Sequence, residues 1–130
     1  MSRSDKYIRV VLWASAVFNL AGALLFAFPE STISQLAGLP VPVPTFYSAL
    51  LAEFIILFGA SYAWLALQPA INRPLLAFGA IGKTGAFLLV AVLWLAGQAP
   101  ARGVLAITGD LIFACLFFEW LLRPRNEPAR

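Results

Sequence analysis

The sequence contains no histidine and a single cysteine, Cys115. These shortages exclude an intramolecular disulfide, a zinc-type ligand set, a haem-attachment motif and any histidine-based catalytic triad. Charge is scarce as well: 12% of the 130 residues are charged against 62% hydrophobic, and the mean hydropathy is +0.87. A soluble domain carries about 25% charged and roughly 45 to 50% apolar residues, so a soluble globule, and with it a cytosolic enzyme, is excluded. The apolar excess has to face lipid. The length allows one domain, residues 1–130, and up to about five helices at roughly 20 residues per span.

What is there fits that frame. Apolar runs cover Val10 to Phe28, Phe46 to Leu67, Pro74 to Ala96 and Gly103 to Leu122, each long enough to cross a hydrocarbon core with some tilt. Pro29, Pro69, Pro74, Pro100 and Pro124 lie at or just beyond the ends of these runs, where a missing N–H costs a helix least. The fold class predicted is all-α, an integral membrane four-helix bundle. No internal repeat stands out in the sequence.

The first run also has the basic start of a secretory signal peptide. Its apolar stretch is longer than the usual roughly 7 to 15 residues, and Phe26-Ala27-Phe28-Pro29 offers no small-x-small cleavage site. A retained first span is expected. Arg3, Lys6 and Arg9 precede span one, Arg73 lies between spans two and three, and Arg123, Arg125 and Arg130 follow span four; only Arg102 falls on the other side. The positive-inside rule then puts both termini in the cytoplasm of a bacterial inner membrane. Trp13, Trp64 and Trp120 fall near the inner interface and Trp94 and Tyr47 near the outer one, as an aromatic belt requires. The net charge of +3 and pI near 9.5 are thereby explained by topology, and no nucleic-acid partner is expected.

In the outer loop, Thr32 and Gln35 have capping-box spacing, and Ile33, Leu36 and Ala37 form one apolar side of a short helix that Gly38 ends. Pro40, Pro42 and Pro44 then enforce an extended strap. The loop reads as a stiff connector, with a lid over a site as the alternative.

Function, where the sequence shows any, lies in polar residues placed inside the hydrocarbon: Asn19, Glu53, Lys83 and Asp110. An ionisable group near the bilayer centre costs roughly 2.5 to 3.5 kcal/mol on insertion scales, so such groups have to find one another. At about 1.5 Å per residue, Lys83 and Asn19 lie roughly 14 Å from the inner boundary and Glu53 and Asp110 roughly 11 Å from the outer one. Those heights differ by only about 5 Å, within reach of a lysine side chain. Each also falls on a stripe of small residues: Ser15, Asn19, Gly22 and Ala23; Ala49, Glu53, Ala60 and Ser61; Gly79, Gly82, Lys83 and Ala86; Gly103, Ala106, Asp110 and Ala114. Small stripes are where membrane helices approach closely. The expectation is one interior cluster of all four residues.

Two carboxylates then face one ammonium. Either one acid is protonated, or a cation or hydrogen-bonding ligand completes the set, or a plain Lys83–Asp110 bridge leaves Glu53 neutral. Glu119 and Arg123, one turn apart at the inner interface, read as an anchoring ion pair worth under about 1 kcal/mol. Gly82-Lys83-Thr84 imitates the end of a phosphate-binding loop, but Ala77 stands where the first glycine belongs. Cys115, without a basic neighbour at helical spacing, reads as an inert thiol. Neither a catalytic residue nor a cofactor or metal is expected.

Asn19-Leu20-Ala21-Gly22, Phe28-Pro29-Glu30, Leu39-Pro40, Gly59-Ala60-Ser61-Tyr62, Arg73-Pro74, Gly82-Lys83 and Asp110-Leu111-Ile112-Phe113 occur in an order that resembles a family of small bacterial four-span proteins, distantly DoxX-like. The resemblance covers nearly the whole chain through short, mostly apolar motifs. It implies a four-helix inner-membrane protein in which the family's Gly-Lys and Asp positions fall on Lys83 and Asp110, while Glu53 stands where the family has an apolar residue. DoxX-like relatives are associated with quinone-linked sulfur or redox chemistry, which implies at most a subunit or a quinone contact here.

Three functions follow as expectations. The first is a non-catalytic accessory or small-molecule- or lipid-binding membrane protein. The second is a proton- or cation-coupled carrier using Glu53 or Asp110, oligomerising through small residues such as Gly59 and Ala63. The third is a membrane enzyme or redox-complex subunit acting on a lipid or quinone, with Lys83 stabilising developing negative charge. The expected partners are membrane lipids, with a quinone or other lipophilic ligand, a homo-oligomer or a larger membrane complex as candidates.

Overall fold

The computed structural model describes residues 1–124. Arg125 and Arg130, two of the basic residues in the orientation argument, lie outside them. The described residues form helices only: α1 (Arg3–Ala27), α2 (Thr32–Leu36), α3 (Thr45–Leu67), α4 (Arg73–Leu95) and α5 (Ala101–Leu122). All but α2 are long and apolar enough to cross a membrane, as the apolar runs predict. α1 starts a full turn and more before Val10 because Ser2 caps it, its side chain accepting from the Asp5 N–H at 3.0 Å. Asn72 caps α4 in the same way through the Leu75 N–H. α3 and α5 start directly after Pro44 and Pro100, whose fixed φ is already suited to helix entry.

The short surface helix forms, but its cap is Ser31, one residue earlier than the capping box predicts. The Ser31 hydroxyl accepts from the Ser34 N–H at 3.2 Å, and Gln35 donates to the Glu30 carbonyl. Ser34 is buried and donates to the Leu25 carbonyl, which ties α2 to the end of α1. Ile33 and Leu36 face outward at 70% and 68% exposure, the apolar side predicted for the membrane surface. Gly38 ends the helix with φ +87°, and a β-carbon there would stand 2.6 Å from the Gly103 nitrogen, so only glycine lets the loop seat on the start of α5.

The helices pair as two antiparallel hairpins, α1 with α3 and α4 with α5, set side by side. Their contacts repeat, residue for residue. Arg9 and Arg73, Leu12 and Leu76, and Asn19 and Lys83 are each 64 positions apart; Ile55 and Asp110, Gly59 and Ala114, and Tyr62 and Phe117 are each 55 apart. Leu12 and Leu76 are both fully buried, as are Tyr62 and Phe117 to within 2%. Arg9 donates to the Ala66 carbonyl at the end of α3, and Arg73 to the Leu121 carbonyl at the end of α5. The Phe58–Tyr62 rings lie 6.5 Å apart at 43°, and the matching Phe113–Phe117 rings 6.5 Å apart at 42°. Tyr62 and Phe117 then meet each other at 5.5 Å between the hairpins. The chain is thus built as two like halves, which the sequence alone conceals because so few of the matched residues are identical.

Packing is concentrated at the end where the arginines lie. Ile8, Leu12, Leu65, Leu76, Phe117 and Trp120 form a dry core there. Beyond Lys83 no residue of α4 is buried, and before Ala114 none of α5 is. Arg9 and Arg73 close the packed end by meeting the carbonyls that a helix C-terminus leaves unpaired, where the helix dipole also favours positive charge. Arg9 additionally donates to the Gln68 and Pro69 carbonyls in the turn that joins the hairpins.

α1 and α3 approach closely at Gly59, where a β-carbon would stand 2.9 Å from that of Asn19 and 3.3 Å from the Ala16 carbonyl oxygen. Gly59 is therefore buried within the hairpin and is not on the exposed oligomerisation stripe expected for it. Gly59→Ala is expected to lower stability by about 1–3 kcal/mol through overpacking. Gly85→Ala, where nothing lies within 4 Å of the added carbon, is expected to lose none; thermal unfolding of both variants in detergent checks the contrast.

Candidate functional site

Where the two hairpins face each other, just above the packed core, Lys83 points inward from α4 with 4% of its side chain exposed. Its Nζ donates to Asp110 Oδ1 on α5 at 2.5 Å and to Asn19 Oδ1 on α1 at 2.9 Å. Asn19 is held in turn by its own amide, which donates to the Ile55 carbonyl on α3 at 3.0 Å. One network therefore touches all four long helices.

Aromatic rings close the remaining directions. The ammonium lies 5.1 Å from the Tyr62 ring centroid, 5.4 Å from Phe113 and 5.5 Å from Phe18, distances at which ring quadrupoles attract a cation. Glycines make room for two of these rings: a β-carbon on Gly79 would stand 2.7 Å from Tyr62, and one on Gly109 2.4 Å from Phe18. The small residues predicted as helix-contact stripes thus act partly as seats for aromatic side chains. Asp110 keeps 19% of its side chain exposed, so one edge of the network reaches the protein surface within the apolar belt. Ser15, one turn before Asn19 on the same face of α1, is fully buried, and its hydroxyl has no partner.

Three of the four residues predicted to converge do so. Glu53 does not. It is exposed on α3 and takes part in neither ion pair among the described residues. The predicted stripe of Ala49, Glu53, Ala60 and Ser61 is not the face that α3 buries, which carries Ser48, Gly59, Tyr62, Leu65 and Ala66. The physical reason is the close approach at Gly59 together with the large Tyr62. These rotate the helix so that Glu53, between a third and a half of a turn away at about 100° per residue, faces outward. The arithmetic of two acids against one ammonium therefore does not arise, and Lys83 and Asp110 form a balanced pair.

At the packed end, Arg123 pairs with Glu119 as the i, i+4 spacing predicts. The pair is also bound to α1: Tyr7 donates to Glu119 Oε2 at 3.3 Å, and the Arg123 guanidinium lies 5.4 Å from the Tyr7 ring. Sequence reading missed the roles of Tyr7, Arg9 and Arg73, which it took only as topology markers or passed over. Their position at or within two turns of the start of a helix, opposite the end of another, was the available signal. A scan against protein-family models, a search of curated proteins and a search of solved structures each find no match to this chain.

Removing one partner of a buried pair leaves the other charged and unpaired, at about 3–5 kcal/mol. Lys83→Leu is expected to lose stability on that scale in detergent. The double variant Lys83→Leu/Asp110→Leu is expected to regain a large part of it, since no uncompensated charge remains. Equal unfolding temperatures for wild type and Lys83→Leu would show that the pair contributes nothing.

Proposed function

We propose that this chain is a non-catalytic protein of the bacterial inner membrane, with both termini cytoplasmic, that serves as an accessory subunit or holds lipids or small lipophilic molecules. The observation that supports this reading is the engagement of Lys83. Its ammonium is held by Asn19 and Asp110 and faced by three rings, so it offers no free cation to stabilise charge developing on a substrate. A transport acid has to exchange its proton with both sides of the membrane, whereas Asp110 is bound to a permanent neighbour. The network instead joins four helices at one height, the register-fixing use for which buried polar groups are best attested. A distant DoxX-like kinship is part of the proposal, resting on the short motifs at Asn19, Lys83 and Asp110. Membrane lipids, a quinone or a larger membrane assembly are the partners it implies.

Proteoliposomes loaded with a pH-sensitive dye test the reading against the carrier alternative. No proton flux is expected under a pH gradient, with or without added cations. A sustained flux that Asp110→Asn abolishes would establish a carrier. Mass spectrometry of lipid and quinone co-purifying with the chain tests the holding role, and a reporter fused after Arg130 is expected to read as cytoplasmic.

A further inference from the structure

Because the two halves match, each serves as a control for the other, and one departure stands out. Along the outer side of the α1–α3 hairpin runs a groove of about 340 Å³ lined by Leu20, Ala23, Leu24, Ala52, Glu53 and Ile56. At the corresponding positions the α4–α5 hairpin has Thr84, Phe87, Leu88, Ile107, Thr108 and Leu111. Two alanines in the first hairpin thus replace a phenylalanine and an isoleucine, which opens the space. Glu53 replaces a threonine whose hydroxyl is satisfied within its own helix, Thr108 donating to the Val104 carbonyl at 2.8 Å. The halves are alike where they build the core and differ here, where one is trimmed and given an acid.

Glu53 stands eight residues into α3, roughly 12 Å from that end of the helix at about 1.5 Å per residue, so its carboxyl is set in the hydrocarbon layer. The ion pairs among the described residues are Lys83–Asp110 and Glu119–Arg123, and neither supplies it with a cation. Arg9 and Arg73 are engaged at the packed end of the bundle. At Ala27 the groove adjoins a second hollow of about 370 Å³, bounded by Glu30, Ser31, Val43, Thr45 and Ser48 between the end of α1 and the proline strap. The charged side chains along this seam are Glu30 and Glu53, both acidic. The seam leads from a mouth of mixed polarity under the strap to an open, apolar slot with the exposed Glu53 at its rim.

The geometry points to a binding site for a lipophilic amine, an apolar body that lies against Leu20, Leu24 and Ile56 while its ammonium pairs with Glu53. Paired in the low-dielectric hydrocarbon layer, the two charges interact far more strongly than in water, and the space left by Ala23 and Ala52 accommodates the rest of the molecule against the helices. Glu30 at the mouth attracts the same charge on entry. The proposal deepens the small-molecule-holding reading and rests on it, but uses residues outside the Lys83 network.

Equilibrium dialysis of the full chain in phosphatidylcholine nanodiscs tests it, with 4-phenylbutylamine and 4-phenylbutanol as probes and empty nanodiscs subtracted. The amine is expected to bind at least about tenfold more tightly than the alcohol, a difference of about 1.4 kcal/mol. Glu53→Gln is expected to erase that preference. Ala52→Ile, which gives the slot the residue of the other hairpin, is expected to weaken amine binding by a similar factor; both variants should unfold at the wild-type temperature. Equal binding of amine and alcohol to the wild-type chain overturns the proposal, and so does amine binding that survives in both variants. A proton flux lost in Asp110→Asn would instead overturn the non-transport reading and leave the amine measurement standing.

Discussion

An ammonium placed in a dry helical interior is the constraint around which this molecule is arranged. Lys83 has to be neutralised and hydrogen-bonded where no water can do either, and every long helix contributes to the solution. α5 supplies the Asp110 carboxylate and Phe113, α1 supplies the Asn19 amide and Phe18, and α3 supplies Tyr62 together with the carbonyl that steadies Asn19. Each contribution fixes how one helix is rotated and how far it is shifted along its neighbours. The glycines at 59, 79 and 109 follow from the same demand, since they let backbone or rings come close enough to complete the shell. In a lipid environment the hydrophobic effect does not hold helices together, so a polar contact of this kind decides the pairing more than it does in a soluble core.

Hydropathy made the four spans legible because a bilayer imposes one coarse requirement, a run of apolar residues of fixed length. Depth counting placed Lys83, Asp110 and Asn19 at compatible heights for the same reason: height depends only on position along a helix. Rotation is another matter. It depends on which residues allow a close approach, and in α3 the stripe of Ala49, Glu53 and Ala60 competed with the face of Ser48, Gly59 and Tyr62 on nearly equal terms. A single glycine opposite Asn19 and one tyrosine decided it, and nothing in the periodicity of α3 alone distinguishes the two. Without coordinates the acid at 53 was indistinguishable from a member of the cluster.

The repeat was hidden for a related reason. Residues that match in burial and contact, such as Ser15 and Gly79 or Ile55 and Asp110, differ in type because one half carries a neutral version of the interaction and the other a charged one. Asn19 donates to a backbone carbonyl where Lys83 donates to a carboxylate. The connector in the first hairpin, with its surface helix and proline strap, also breaks the register, so one constant shift does not align both pairs of helices. Only the contacts restore the correspondence: the two arginine clasps, the twin pairs of rings and the two fully buried leucines.

That Asn19 and Lys83 each find a partner within their own hairpin bears on how the chain enters a bilayer. The first hairpin carries an amide whose acceptor, the Ile55 carbonyl, travels with it, so it can leave an insertion channel with Asn19 already satisfied. The second brings Lys83 and Asp110 on adjacent spans separated by a short turn, so acid and base can partition into lipid as one electrically neutral unit. Glu53 aside, which neither half pairs, no buried charge of one half has to wait in hydrocarbon for the other to be synthesised, and the meeting of Asn19 with Lys83 becomes the last joint to close.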